Sequence, residues 1–314
     1  MSGTRGAGLG VGEVRALARG LVELDVSVGA RWAVGRALEA AYAVGRSGPV
    51  RDAEERAARA ELFQVAAWIA FDAECHAVSR RLHLRALELA PVQAESESAG
   101  VEPLVLAVLS MQEEHLGRPV GSLRIARAVL ARPGLPGRVA AIFQVRAARA
   151  LARMGREAPA ERALRTAADL LADGPTERDP AWAWWFDGPE YDGHHGLARA
   201  ALGDLEGAAA LLYGAARAGG EGPAYRVLFA AELARVQARA GDWREAGTAL
   251  SALAEAVPAV GSVRALRAMG DAARLVGSGR RVPRRTRDAA RELTLALRAE
   301  APPVGRARRA GQGR

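Results

Sequence analysis

The chain has 314 residues, half of them hydrophobic, and 44 basic side chains stand against 36 acidic ones. That length allows two average domains or one extended array. A single cysteine, Cys75, excludes an internal disulfide and suits a reducing compartment. The longest strongly apolar stretch, residues 104–111, falls far short of the roughly 20 residues of a membrane span.

Ala, Leu and Val dominate the apolar set, while aromatic residues make up only 5% of the chain, so helix packed on helix is favoured over sheet. Every basic residue is Arg, and Asn is absent. Such a bias runs through the whole chain, as GC-rich coding would produce, and marks no binding face. The net charge of +8 is local. Residues 280–314 hold eleven Arg against Asp288, Glu292 and Glu300, which leaves the remaining body neutral. Ser2, Gly3, Thr4 and Arg5 lack the apolar core of a signal peptide, and a cytoplasmic location is expected.

In chain order, residues 11–45 read as one or two helices. Leu17, Leu21, Val22 and Leu24 form the first apolar stripe, and Trp32, Val34, Leu38 and Tyr42 the second. An internal repeat follows. Glu74, Gly117, Gly155, Gly203 and Gly241 each sit in a short turn between two helical patterns. Seven residues before them lie Ala67, Ser110, Ala148, Gly196 and Ala234, and five residues after them Ser79, Ser122, Ala160, Ala208 and Ala246. Two helices joined by a tight turn approach closely only where small side chains face each other. The turns are 43, 38, 48 and 38 residues apart, and the excess over a 34-residue period falls in connectors at 94–101, 132–137 and 174–182. Pro189 should break any helix running on from Pro180, giving a short helix, a kink and a new start near Pro189. A last helix at 286–300 carries Ala290, Leu293 and Leu297 on one side and Arg on the other, as suits a cap, and residues 306–314 read as disordered.

This pattern resembles a tetratricopeptide-repeat array. The fifth unit resembles it best, with Ala234, Ala240-Gly241-Asp242-Trp243, Ala246, Leu250 and Pro258; the first has Glu74 where the family turn has Gly. Three segments go further and resemble the repeat domain of actinobacterial Xre-type helix-turn-helix regulators. They are Ala66-Ala67-Trp68-Ile69-Ala70-Phe71-Asp72-Ala73, then Arg85-Ala86-Leu87-Glu88-Leu89-Ala90, then Asp179-Pro180-Ala181-Trp182 through Trp185-Phe186-Asp187 to His194-His195-Gly196-Leu197-Ala198. Nothing before Arg51 reads as a helix-turn-helix with a base-reading second helix. The resemblance therefore implies a regulatory or sensor module, with any DNA-binding subunit separate.

The expected architecture is all-α: a superhelical solenoid of about five degenerate hairpins at 61–279. N-terminal helices at 1–60 and a basic cap and tail at 280–314 flank it. In arrays of this type the first helix of each hairpin lines a concave groove. The groove side chains are then Trp68, Phe71 and Asp72 in unit one and Met111, Glu114 and His115 in unit two. Unit three offers Arg149 and Arg153, unit four Leu197, and unit five Arg235 and Arg239. Each Arg pair shares a helical face and could clamp a carboxylate or phosphate, although two solvated faces would read the same way. Trp182, Trp184 and Trp185 are either core or an aromatic anchor.

Catalytic patterns fail in turn. His76 and His83 lack a completing acid or Cys, and Glu113-Glu114-His115 is not the zinc-hydrolase motif. No Gly-x-Ser-x-Gly occurs, Cys75 has no cue of activation, and Gly6, Gly8, Gly10 and Gly12 follow no strand. No enzyme activity, metal or cofactor is expected. The leading expectation is a regulatory scaffold that binds a peptide or protein segment in the groove. Two others stand beside it: a nucleic-acid-associated regulator using the Arg-rich tail, and a sensor of a small molecule or signalling peptide. A homodimer is compatible with all three, and no membrane association is expected.

Overall fold

The computed structural model describes residues 9–90, 100–217 and 227–300. Among these residues the regular structure is entirely helical. The helices are α1 (Val11–Val28), α2 (Ala30–Gly45), α3 (Ala53–Asp72), α4 (His76–Leu89), α5 (Val101–His115), α6 (Pro119–Leu130) and α7 (Gly137–Arg153). They continue with α8 (Glu157–Ala172), α9 (Gly188–Leu202), α10 (Leu205–Arg217), α11 (Val227–Ala240), α12 (Trp243–Ala256), α13 (Val263–Ser278) and α14 (Arg284–Ala299). Successive helices pair as antiparallel hairpins, and each hairpin packs on the next, so the chain is a helical solenoid. Five hairpins, α3/α4 to α11/α12, carry the repeat; α1/α2 and α13/α14 complete the two ends.

The hairpin turns share one backbone device. Gly117, Gly155, Gly203 and Gly241 adopt φ between 68° and 94°, and Glu74 takes the same left-handed conformation at φ 61°. In each turn the amide of the next residue donates to the carbonyl five residues earlier: Cys75 to Ala70, Arg118 to Glu113, Arg156 to Leu151, Asp204 to Arg199 and Asp242 to Gln237. That bond satisfies a last-turn carbonyl of the first helix and reverses the chain in the fewest residues. Behind each turn the small side chains meet. Ala67, Ser79, Ala148, Ala160, Ala208, Ala234 and Ala246 are fully buried, and the Ser110 hydroxyl lies 3.0 Å from that of Ser122. At Gly196 a methyl group would come within 2.8 Å of Leu212 Cγ and 3.1 Å of the Ala208 carbonyl oxygen. The hairpins are held at a separation that only these residues permit.

Between α8 and α9 the chain forms a 3-10 turn, Ala181–Trp185, and α9 restarts with Asp187 as its N-cap and Pro189 in its first turn. Asp187 accepts from the Glu190 amide at 2.9 Å. The N-terminal helices differ from the expected apolar stripe. In α2 the buried face is Ala30, Ala33, Ala37, Ala40, Ala41 and Val44, which lets α2 lie close to α3. Trp32 and Tyr42 turn outward instead, under the guanidinium groups of Arg31 and Arg46. The expected boundary at residue 60 falls inside α3, and that at 279 falls between α13 and α14. Most of the connector at 94–101 and the tail at 306–314 lie outside the described residues, as do Gly6 and Gly8.

The two ends of the array meet. The Arg31 amide donates to the Gly261 carbonyl at 2.8 Å, and Arg31 also reaches Glu300 at 3.2 Å. Gly29 and Gly261 stand backbone to backbone, with no room for a Cβ on either. Farther in, Arg264 of α13 donates to Asp72 of α3 at 2.8 Å, with both side chains buried, and Ser262 donates to the same carboxylate oxygen at 2.9 Å. Arg267 pairs with Glu74. The solenoid is closed into a ring.

Candidate functional site

The first helices of the hairpins, with α1 and α13, face inward and enclose a cavity of about 1100 Å³. Its wall follows one stripe. Six residues before the turns, Trp68, Met111, Arg149, Leu197 and Arg235 all line it. Nine residues before the turns, Val65, Val108, Arg146, His194 and Glu232 line it as well. Positions three and four apart share a helical face, so the two rows are successive turns of the same inner surface.

The sequence-derived positions divide accordingly. Trp68, Asp72, Met111, Glu114, His115, Arg149, Arg153, Leu197 and Arg235 are brought together around the cavity, with Trp182, Trp184 and Trp185 at its edge. Two are not. Phe71 is fully buried against Val108 and Met111 of α5 and does not reach the cavity wall. Arg239 leaves the wall and donates to the Ala200 carbonyl at 3.1 Å. Trp182 and Trp185 pack on the central core while also facing the cavity, whereas Trp184 is 55% exposed.

The Arg residues of the wall are held rather than bare. Arg149 donates to Glu114 at 2.7 Å, and Arg153 lies 3.6 Å from the same carboxylate with half of its side chain exposed. Arg235 is bound by Glu232 at 2.8 Å. The two-Arg clamp is thus a set of ion pairs in which Arg153 keeps the most unused capacity. Deeper still, His194 meets Arg149 through Nδ1 at 2.8 Å, while its Nε2 lies between Arg146 at 3.1 Å and Glu190 at 3.2 Å. Burial and the nearby Arg146 and Arg149 hold the His194 pKa well below 6.5, so the imidazole is neutral. The charged floor of the cavity is a fixed network.

Asp25 adds a carboxylate of strongly raised pKa. Its carboxylate accepts from the Trp68 indole at 3.1 Å. Burial, reinforced by the Asp72 charge, raises its pKa from 3.8 to about 7 against the opposing pull of Trp68 and Arg264. Between these two values the folded chain keeps a proton that the unfolded chain has released, so stability falls as pH rises from about 4 to 7. Asp25→Asn removes that dependence. The variant is expected to melt like the parent near pH 4 and to gain about 2–4 kcal/mol over it at pH 8. Paired melting curves at both pH values check this; equal Tm differences at the two would contradict it. A carboxyl near neutrality also suits a general base, but among the described lining residues no Ser, Thr, Cys, Lys or Tyr stands with it.

Sequence reasoning missed Asp25, Arg146, Glu190, His194 and Arg264. Arg146 and His194 carried a usable signal, since both lie three residues before a position already assigned inward. Asp25 and Arg264 belong to the end helices, which no repeat offset reaches.

No protein-family model matches the chain, and no curated protein matches it. Among solved structures it is similar to PilW, titled a widely conserved type IV pilus biogenesis factor. The TM-score is 0.45 at 16% identity, covering 76% of this chain and 92% of that one. Among the described residues no helix is long and apolar enough to cross a membrane.

Proposed function

We propose that the chain is a binding protein that takes a short extended peptide, or the end of a protein partner, into the centre of its ring. One observation carries this reading: an amphipathic cavity of about 1100 Å³ that the side chains of the described residues leave open. That is slightly above the roughly 300–1,000 Å³ of small-molecule clefts. Trp68, Met111, Leu197 and the Trp182–Trp185 turn offer apolar contact, and the Arg–Glu pairs between them offer donors and acceptors at intervals set by the hairpins. A peptide needs both, because its side chains bury area while its amides and carbonyls must stay paired. A regulatory role in the cytoplasm is part of this proposal and is supported by the resemblance of the Trp68 and Trp182 to Trp185 segments to the repeat domains of Xre-type regulators.

Selection of a displayed random-peptide library on the immobilised chain tests the reading. Wild type should enrich a family of related sequences, and Arg153→Glu and Trp184→Ala should each weaken the best binder by about tenfold or more, roughly 1.4 kcal/mol. No enrichment, or equal binding to wild type and both variants, would sink it. Ring closure favours a second reading as a small-molecule sensor, since a closed wall limits how much chain can thread it. Native mass spectrometry of the purified protein, with a co-isolated mass lost in the same variants, would support that alternative. Nucleic-acid binding would have to use the Arg-rich face of α14, where Arg284 is almost wholly exposed, together with residues beyond it. It would weaken steeply with salt.

A further inference from the structure

We infer that Glu74, His76 and His115 form a binding site for a divalent transition-metal ion of the zinc type at the inner edge of the ring. The first observation is the backbone. Glu74 is the one non-glycine residue with positive φ among the described residues, at the turn position where the other four repeat hairpins place Gly. A side chain there costs about 1–2 kcal/mol relative to Gly and persists only where its surroundings require it. The turn itself needs only Gly. What Glu adds is a carboxylate, and the fold brings two imidazoles from different hairpins to it.

The donor atoms converge. One ligand atom from each residue lies within 4.8 Å of the others. His76 Nε2 is 3.3 Å from Glu74 Oε2, and His115 Nε2 is 2.9 Å from Glu74 Oε1. With metal–ligand bonds of about 2.0–2.1 Å, the edge of a tetrahedral site is about 3.3 Å, so these separations are of the right size. Internal hydrogen bonding leaves the cluster incomplete. Glu74 Oε1 is buried and meets His115 Nε2 at 2.9 Å outside hydrogen-bond geometry, so its lone pairs stay available. Phe71 packs against both rings, at centroid distances of 5.8 and 5.7 Å, and fixes their planes. Arg267 pairs with the other oxygen of Glu74, but its side chain is 62% exposed and can turn to solvent when a cation arrives.

Two imidazoles and a carboxylate match a three-ligand zinc set with one position open, and such donors favour Zn²⁺, Co²⁺ or Cu²⁺ over Mg²⁺ or Ca²⁺. His115 and Arg267 line the cavity, so the open position lies at its edge, available to water or to a donor atom of an occupant. Metal binding itself needs no occupant and stands apart from the peptide reading.

Titration of the untagged full chain with Co²⁺ tests the site. Background is low, because the chain has five His and two of the others, His83 and His194, are buried. The expected result is a saturable visible band of tetrahedral intensity at one ion per chain, displaced by Zn²⁺. Glu74→Gly restores the residue used in the other turns and should fold at least as stably while weakening Co²⁺ more than about tenfold. His115→Ala, at a partly exposed position, should do the same. No saturable band, a weak octahedral spectrum, or retention of the band in either variant overturns the assignment.

Discussion

Gly261→Ala is expected to open the ring and to destabilise the chain by about 3 kcal/mol or more. Gly261 makes its contact with backbone, not with side chains. A methyl group there would overlap the Val28 carbonyl oxygen and come within 2.6 Å of Gly29 Cα. No rotamer relieves such a clash, so relief requires the two chain ends to part. Parting removes the Arg31–Gly261 hydrogen bond and the Arg31–Glu300 pair and lets water reach the buried Asp72–Arg264 pair. Two measurements read this out: a lower Tm, and a larger radius of gyration in solution scattering. Gly277→Ala is the matched control, since it lies in α13 with open space around it and should be neutral or slightly stabilising. Unchanged Tm and size in Gly261→Ala would mean that the ends do not touch.

Asp72→Ala should cost about 3–5 kcal/mol, the usual penalty for leaving a buried charge without its partner. Arg264 lies beneath the rings of Trp68 and Phe71, at 5.4 and 4.6 Å, and its side chain is only 6% exposed. Without Asp72, water cannot easily replace the carboxylate. Asp25 can do so in part. Asp72 raises the Asp25 pKa and Arg264 lowers it, so the variant should bring Asp25 down and leave it ionised at neutral pH. Denaturant unfolding of Asp72→Ala, Asp25→Asn and the double variant measures this compensation. The double variant should lose more than the sum of the two single changes. If Asp72→Ala costs less than about 1 kcal/mol, Arg264 is not the buried cation described above.

The hairpins were legible because their physics is local. A left-handed turn needs Gly, a close crossing needs Ala, Ser or Gly, and both requirements recur at fixed offsets around Gly117, Gly155, Gly203 and Gly241. The inner face was legible to within one helical position. Trp68, Met111, Arg149, Leu197 and Arg235 lie where the repeat offset put them, whereas Phe71 and Arg239 show that residues beside the stripe turn to a neighbour or a carbonyl. Closure was not legible, since nothing in the sequence near Asp72 announces Arg264, which is 192 residues away. The Glu74, His76 and His115 cluster stayed hidden for a similar reason. Its third member comes from the next hairpin, and spacing within one helix cannot show it.

Closure also bears on how such a chain can change over generations. An open solenoid gains or loses a hairpin at little cost, because each unit touches only its neighbours. Here an added or deleted hairpin would carry Gly261 away from Gly29 and strand Asp72 and Arg264 apart, undoing contacts at both ends at once. Lineages of this protein should therefore differ by substitution and by insertions in the outer connectors, while the number of hairpins stays locked.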